Sequence, residues 1–282
     1  MLNKWRASDI PALLAAAFLV IIILVALCAP LLAPYDPTFG NLTARLLPPA
    51  WMEGGRPDYL LGTDHLGRDE LSRIMYGARI SLAVGIGAVL FAGTLGTAVG
   101  IIAGYSRGLA DQIIMRVVDA WMAMPSLIFA IFLAAMVGPS AGNVILILGL
   151  VYWTRFARLV RGEVLSLRER DFVKLAIVSG ASSWRIMLRH MLPNVVNTVL
   201  VLGTLTLGVM IVTEASLSFL GVGVPSPEAA WGLMLAEGKA PMMGGKWWLT
   251  VFPGLGIMLT VLAASVLGDW LRVKLDPKGK RR

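Results

Sequence analysis

The residues able to do chemistry in this sequence are few and scattered. Two acids, Asp119 and Glu214, stand in or beside long apolar runs, where a carboxylate is costly and marks either an ion path or a tie between helices. Asp119 follows Arg116 by about one turn, a spacing that predicts an ion pair bracing a helix end, with a gating role as the alternative. Glu214 has no opposite charge near it in sequence, so it either faces a central path or pairs with another helix. Asp64, Arg68, Asp69 and Arg73 lie close together just ahead of an apolar run. Their spacing predicts a salt-bridged helix start, or else contact with an external protein. Ser216 and Ser218 lie near Glu214, but the two histidines, His65 and His190, fall outside the apolar runs, so no serine–histidine nucleophile is expected within them. The single cysteine, Cys28, excludes a disulfide within one chain. The histidines are far apart and no HExxH occurs, so no transition-metal site is expected from this chain alone. A GxxxxGKS/T phosphate cradle is absent, and the stretch from Gly244 to Trp248 is not one.

These residues hang on segments too apolar for a soluble core. Of 282 residues, 57% are hydrophobic and 15% charged, too little charge to cover a water-exposed surface. Six apolar runs each suit a membrane-crossing helix: about Pro11–Ala33, Ser81–Gly104, Gln112–Val137, Asn143–Val160, Val195–Gly221 and Trp248–Leu267. The first is longer than a signal-peptide core and has no small-residue cleavage site, so it reads as a retained helix. An all-α membrane protein follows, with an N-terminal helix and external loop over residues 1–78 and a core over 79–282. Between the last two spans, Ser226 as N-cap, Pro227 at the first helical position and Gly238 at the end predict a short extra helix.

Orientation follows from the basic residues. With six crossings and both termini in the cytoplasm, eighteen of the 25 lysines and arginines fall on the cytoplasmic side. Topology thus accounts for the net charge of +8, and nucleic-acid binding is not needed. The tail from Lys278 to Arg282 reads as a solvated segment or an anchor to anionic membrane lipid. In the second span Ala88, Ala92, Gly96, Gly100 and Gly104 recur every four residues. They form a strip on which another helix backbone can lie, from this chain or a partner.

The segment from Arg161 to Asn194 is too charged to span lipid. It reads as an amphipathic helix, a break at Gly180 and a second short helix capped by Ser182 or Ser183. Such a helix–glycine–helix suits either docking in a groove of another protein or lying on anionic lipid. It resembles the cytoplasmic coupling loop of binding-protein-dependent ABC importers, whose pattern is EAA, three residues, Gly, nine residues, then IxLP. Lys174-Leu175-Ala176 stands at the triplet, Gly180 follows three residues later, and Leu192-Pro193 closes the pattern. Lys174 replaces the glutamate of that pattern and His190 its isoleucine. The stretches Leu60–Leu82, Met115–Leu127, Glu214–Leu235 and Phe252–Pro277 are similar to the oligopeptide, dipeptide and nickel branch, in its C-type.

The resemblance implies the type I ABC importer permease fold, six spans with cytoplasmic termini and a coupling loop over about residues 161–192. It implies a role as a multi-pass cell-membrane permease for short peptides or similar solutes, not an enzyme, in a bacterium or archaeon. It implies a second homologous permease, two ATP-binding subunits holding ATP and Mg²⁺, and an extracytoplasmic solute-binding protein. This chain itself needs no cofactor. ATPase docking is assigned to Lys174, Ala176, Gly180, Ala181, Ser182 and Arg185, and the translocation path or gate to Glu214 and Asp119. The rival class is an ion-coupled secondary transporter or channel. It would have to build its relay from Asp119 and Glu214 alone, with no chain of acids or histidines joining them.

Overall fold

The computed structural model describes residues 9–275. Lys4, Arg6 and the basic tail from Lys278 to Arg282, which carry part of the orientation argument, lie outside the described residues. The described chain is helical, apart from turns and one isolated bridge between Thr63 and Asp69.

Helix α1 (Ile10–Leu27) is apolar on every side and carries Pro11 in its first turn, where the missing N–H costs nothing. A single turn, α2 (Ala29–Leu32), ends it ahead of Pro34 and Pro37. The loop that follows is pinned by short turns, then Asp69 caps α3 (Glu70–Ser106), its carboxylate accepting from the Ser72 N–H at 2.8 Å. At 37 residues α3 is roughly 55 Å long, well beyond the roughly 30 Å lipid core.

The third span departs from the expectation of one continuous helix over Gln112–Val137. It is two helices, α4 (Gly108–Met122) and α5 (Ser126–Val137), bent by 89°. Pro125 lies at the break: it has no N–H to give and forces Met124 out of helical geometry.

Helix α6 (Ala141–Arg168) starts at Ser140, whose hydroxyl accepts from Asn143 N–H at 3.0 Å. It keeps residues 161–168, which the sequence assigns to the coupling loop, because nothing there breaks the helix. Helices α7 (Asp171–Val178) and α8 (Ser183–Ile186) follow, then a π-turn (Met187–Met191) and α9 (Leu192–Phe219). From Ser183 to Phe219 the chain is one rod of 37 residues. The wide turn sits directly before Pro193, whose ring crowds the carbonyl four residues back. Asn194 Nδ2 donates to the His190 carbonyl at 2.7 Å, satisfying one acceptor there. The stretch between the two long helices is therefore shorter than residues 161–192, and each of its ends continues into a helix long and apolar enough to cross a membrane.

The predicted extra helix also starts and ends elsewhere. Helix α10 runs Trp231–Met243, with Ala230 rather than Ser226 at its N-cap. The Trp231 N–H is oriented by Ser81 Oγ of α3 at 3.3 Å. Gly238 is inside the helix instead of closing it, because α11 lies against it: a Cβ there would meet the Leu249 carbonyl at 2.7 Å. Helix α11 (Trp248–Leu275) completes the chain.

Five helices are long and apolar enough to cross a membrane, and the bent pair α4 and α5, counted as one span, brings the number to six. Side chains such as Leu24, Leu90, Phe132 and Leu262 face outward, as a lipid-solvated bundle requires. Asp9, before α1, accepts from Trp270 Nε1 at 2.9 Å and meets Lys274 Nζ at 3.3 Å, so the start of α1 and the end of α11 share one side.

The centre of the bundle is the parallel pair α3 and α6. Ala88 and Ala92 are fully buried. Added Cβ atoms at Gly100 and Gly104 would meet the Ala157 carbonyl at 2.6 Å and the Arg161 carbonyl at 2.9 Å, and one at Gly96 would strike the Trp153 carbonyl. The strip of small residues thus seats a helix of this same chain.

Candidate functional site

At one end of the bundle, Glu169 to Ser182 projects beyond α6 and α9. Its base is fixed by burial: Val173, Ile186 and Met191 pack with Val160, Val164 and Leu167. Its tip is the opposite. Val178 is 86% exposed and Leu175 66%, and Trp184, just beyond the tip in α8, is 63% exposed. Exposed apolar groups on one turn-linked segment are the kind of surface an interaction can use.

The turn between α7 and α8 depends on Gly180, which has φ +76 and no side-chain obstruction around it. Gly180 N–H donates to the Ile177 carbonyl at 3.0 Å and Ala181 N–H to the Ala176 carbonyl at 3.1 Å, closing α7 through a left-handed glycine. Ser182 caps α8, its hydroxyl accepting from Arg185 N–H at 3.4 Å. Ala176 and Ala181 are half-buried at the base, while Lys174, Gly180, Ser182 and Arg185 are exposed.

Charge ties this tip to the bundle. Glu169 receives Arg107, which follows α3, and Lys174 Nζ lies 3.6 Å away. The hydrogen bond and charge of Arg107, with Lys174 adding to them, hold the Glu169 carboxyl below its ordinary value. Lys174 therefore has an acidic partner on its own chain, at a position where the coupling-loop pattern has a glutamate.

Beside the tip, α4 is clipped to α6. Arg161 grips Asp111 with two bonds of 2.5 and 2.6 Å. Asp119 accepts from Arg158 of α6 at 2.5 Å, and this pair replaces the expected one with Arg116. Helices α4 and α6 cross where Asp119 faces Arg158, and both side chains are about half exposed. Trp121 Nε1 adds a bond to the Leu150 carbonyl at 2.7 Å.

Glu214 lies at the opposite end of α9 and is 0% exposed. Its carboxylate accepts from Ser81 Oγ of α3 at 3.0 Å and from Ser218 Oγ at 2.8 Å. Those serines in turn hold the backbone N–H groups of Trp231 and Val224. Glu214 therefore ties α3, α9 and the start of α10, with hydroxyl partners rather than a cation.

A groove of about 660 Å³ opens among α1, α3, α9 and α11, walled by Leu90, Ile101, Val196, Leu200 and Leu207, with Thr94, Thr97 and Thr204 as its polar groups. Neither Glu214 nor Asp119 lines it.

At the end of the bundle away from the tip, the Asp64, Arg68 and Arg73 cluster closes through a residue that sequence spacing missed. Arg68 Nε donates to Asp64 at 2.6 Å and Arg73 meets the same oxygen. Both arginines also reach Glu237 Oε2 of α10, at 2.8 and 2.7 Å. Burial alone would raise the Asp64 carboxyl, but the charges of Arg73 and Arg68 and the Arg68 N–H outweigh it and hold it below its ordinary value. Nothing in the sequence flags Glu237, which is 169 residues from Arg68.

The family profile described as binding-protein-dependent transport system inner membrane component matches residues 96–281, and the N-terminal TM domain of oligopeptide transport permease C matches residues 9–49. The dipeptide transport system permease protein DppC of Haemophilus influenzae is 42% identical over 96% of this chain and 91% of its own length. The di/tripeptide transport system permease protein DppC of Pseudomonas aeruginosa is 41% identical, over 93% and 86%. The glutathione transport system permease protein GsiD of Pectobacterium atrosepticum is 42% identical, over 95% and 87%. Together with the five to six candidate spans, these matches place the chain among the binding-protein-dependent transport system inner membrane components: it belongs to that family, as a multi-pass permease subunit of an ABC importer in the bacterial inner membrane.

Proposed function

We propose that this chain forms half of the translocation path of an ATP-driven importer for short peptides, with its Glu169–Ser182 segment as the docking element for a separate ATPase. The observation that carries the proposal is the tip itself. It is an apolar, glycine-turned surface standing clear of the bundle, while its two ends continue as α6 and α9. A push on α7 would move both spans together.

In this reading the tip is cytoplasmic, and both termini are cytoplasmic with it. The lysine and arginine bias supports that orientation, and the bonds of Asp9 to Trp270 and Lys274 support a shared side. Membership of the family implies ATPase and solute-binding components. The finer assembly is two permeases, two ATP-binding subunits carrying ATP and Mg²⁺, and one external binding protein. Docking falls to Lys174, Ala176, Gly180, Ala181, Ser182 and Arg185. ATP-driven closure of the motors rocks α6 and α9, and the path formed with the second permease opens inward. Asp119 contributes as a clip holding α4 to the moving α6, and Glu214 as the tie that fixes the far end of α9.

The names of the relatives support peptide as the solute class, since dipeptides, tripeptides and glutathione are all short peptides. The test is gentle purification through a tag on this chain, followed by mass spectrometry and peptide uptake in vesicles. A fixed ratio of a second permease and Walker-motif ATPases, with ATP-dependent di- or tripeptide uptake, is the expected result. Recovery of this chain alone would overturn it.

A further inference from the structure

We propose that Arg155, held over the Tyr152 ring where α6 meets α9, binds the carboxylate of the solute as it crosses the membrane. The inference rests on the importer reading above and adds a contact that would make the path selective.

Arg155 stands inside the apolar run from Asn143 to Val160, midway along α6. A guanidinium there is costly unless it meets an acid, water or a bound anion. Its neighbours Phe156 and Ala157 are buried against Gly96 and Gly100 of α3, whereas Arg155 is exposed. Arg158 and Arg161, three and six residues further on, each have an acid of α4, Asp119 and Asp111. Arg155 has no ion pair and donates no hydrogen bond among the described residues. What holds it is the Tyr152 ring, whose centroid lies 4.7 Å from its Cζ.

That ring is itself fixed. Thr213 Oγ1 gives its proton to the Val209 carbonyl at 2.7 Å. Towards Tyr152 Oη, 3.1 Å away, it can therefore only accept, and the tyrosine donates. Tyr152 is buried with Thr213. An arginine stacked on a rigid ring keeps its in-plane N–H groups free. Those donors form the fork that takes a carboxylate with two parallel bonds. The guanidinium leans back over Tyr152, towards the middle of the span. An arginine seeking lipid phosphates would instead reach past Val160 for the nearer membrane surface. Beside Thr213, Val209 and Val212 of α9 are exposed, so the cation stands next to an apolar wall. Every short peptide with a free C-terminus carries a carboxylate. One stacked cation suits a transient hold, which a path needs if the solute is to leave again.

The test uses the intact complex and its binding protein in proteoliposomes. ATP-dependent uptake of dialanine is compared with that of dialanine amide, each at a concentration that saturates the binding protein. No uptake of dialanine by the native complex would overturn the importer reading, and this site with it. Where the native complex takes up dialanine, Arg155→Gln should lower that uptake at least about tenfold, the loss of one charge-assisted contact. Uptake of the amide should stay unchanged, and Arg155→Lys should recover part of the loss. No loss, or an equal loss for both solutes, would overturn the site and leave the importer reading standing. Should Arg155→Gln fail to assemble, phenylglyoxal labelling of the native complex decides, with exposed Arg189 as internal reference. Protection of Arg155 alone by dialanine under vanadate arrest supports the site, and labelling unaffected by dialanine overturns it.

Discussion

The two ends of this helical bundle handle polar and apolar groups in opposite ways. Where α3 begins, four charged side chains from a loop, a helix start and α10 are sunk below the surface and neutralise one another. Where α6 ends, the charges of Arg107, Glu169 and Lys174 lie in the open, and the exposed positions include Leu175, Val178 and Trp184. The ion cluster of the first end is closed within this chain and would lose by being opened, although the loop around it exposes Phe39, Leu42 and Trp51. The second end has no buried ring of charge, and its exposed Leu175, Val178 and Trp184 are suited to an interface. An element that must respond to a motor belongs at the second end, and an element that must stay put belongs at the closed one.

Glycine draws the same distinction. Gly100 is needed for space, because the Ala157 carbonyl fills the place of a side chain. Gly180 has ample space and is needed for its left-handed backbone.

Substitutions that break this contrast should have graded effects. The largest is expected from Arg73→Ala, which leaves buried Asp64 and Glu237 short of a cation. Removing one partner of a buried ion network costs about 3–5 kcal/mol, so the folded yield and the melting temperature in detergent should fall sharply. A melting curve matching the native one would mean the closed end is not closed. Next comes Gly100→Leu in the seam, where overpacking costs about 1–3 kcal/mol or more. Loss of monodisperse protein on size exclusion is the expected readout, and normal behaviour would show that α3 and α6 can separate cheaply. Gly180→Leu should cost only about 1–2 kcal/mol, the strain of a left-handed bulky residue. Its main effect should be on coupling, with ATPase activity of the complex retained and uptake lost. Intact coupled uptake would remove the glycine turn from the docking account. The smallest effect is expected from Asp119→Asn, since an exposed ion pair with Arg158 contributes less than about 1 kcal/mol. A collapse of uptake with unchanged stability would instead give Asp119 a gating role.

Much of this was legible in the residues, and what was not follows a pattern. Long apolar runs revealed the spans because lipid leaves the backbone no partner but itself. The four-residue recurrence from Ala88 to Gly104 was visible because it is local to one helix, although its partner α6 was not. Gly180 and Ser182 were readable because a helix end and a helix cap are local chemistry. Hidden were the contacts between distant segments. Asp119 chose Arg158 over the neighbouring Arg116 because helix crossing, not spacing, brings charges together. Glu237 joined the arginines, and Glu214 found Ser81, across more than a hundred residues. The 89° bend was signalled by Pro125 but masked by the unbroken apolarity around it.

The Glu169–Ser182 tip is proposed as the face this permease presents to its motor. The most direct test is a photo-crosslinking residue at Val178, the most exposed apolar position of the tip, activated in intact cells. One dominant adduct with a Walker-motif ATPase subunit is expected. An adduct with an external solute-binding protein, or with lipid alone, would contradict it.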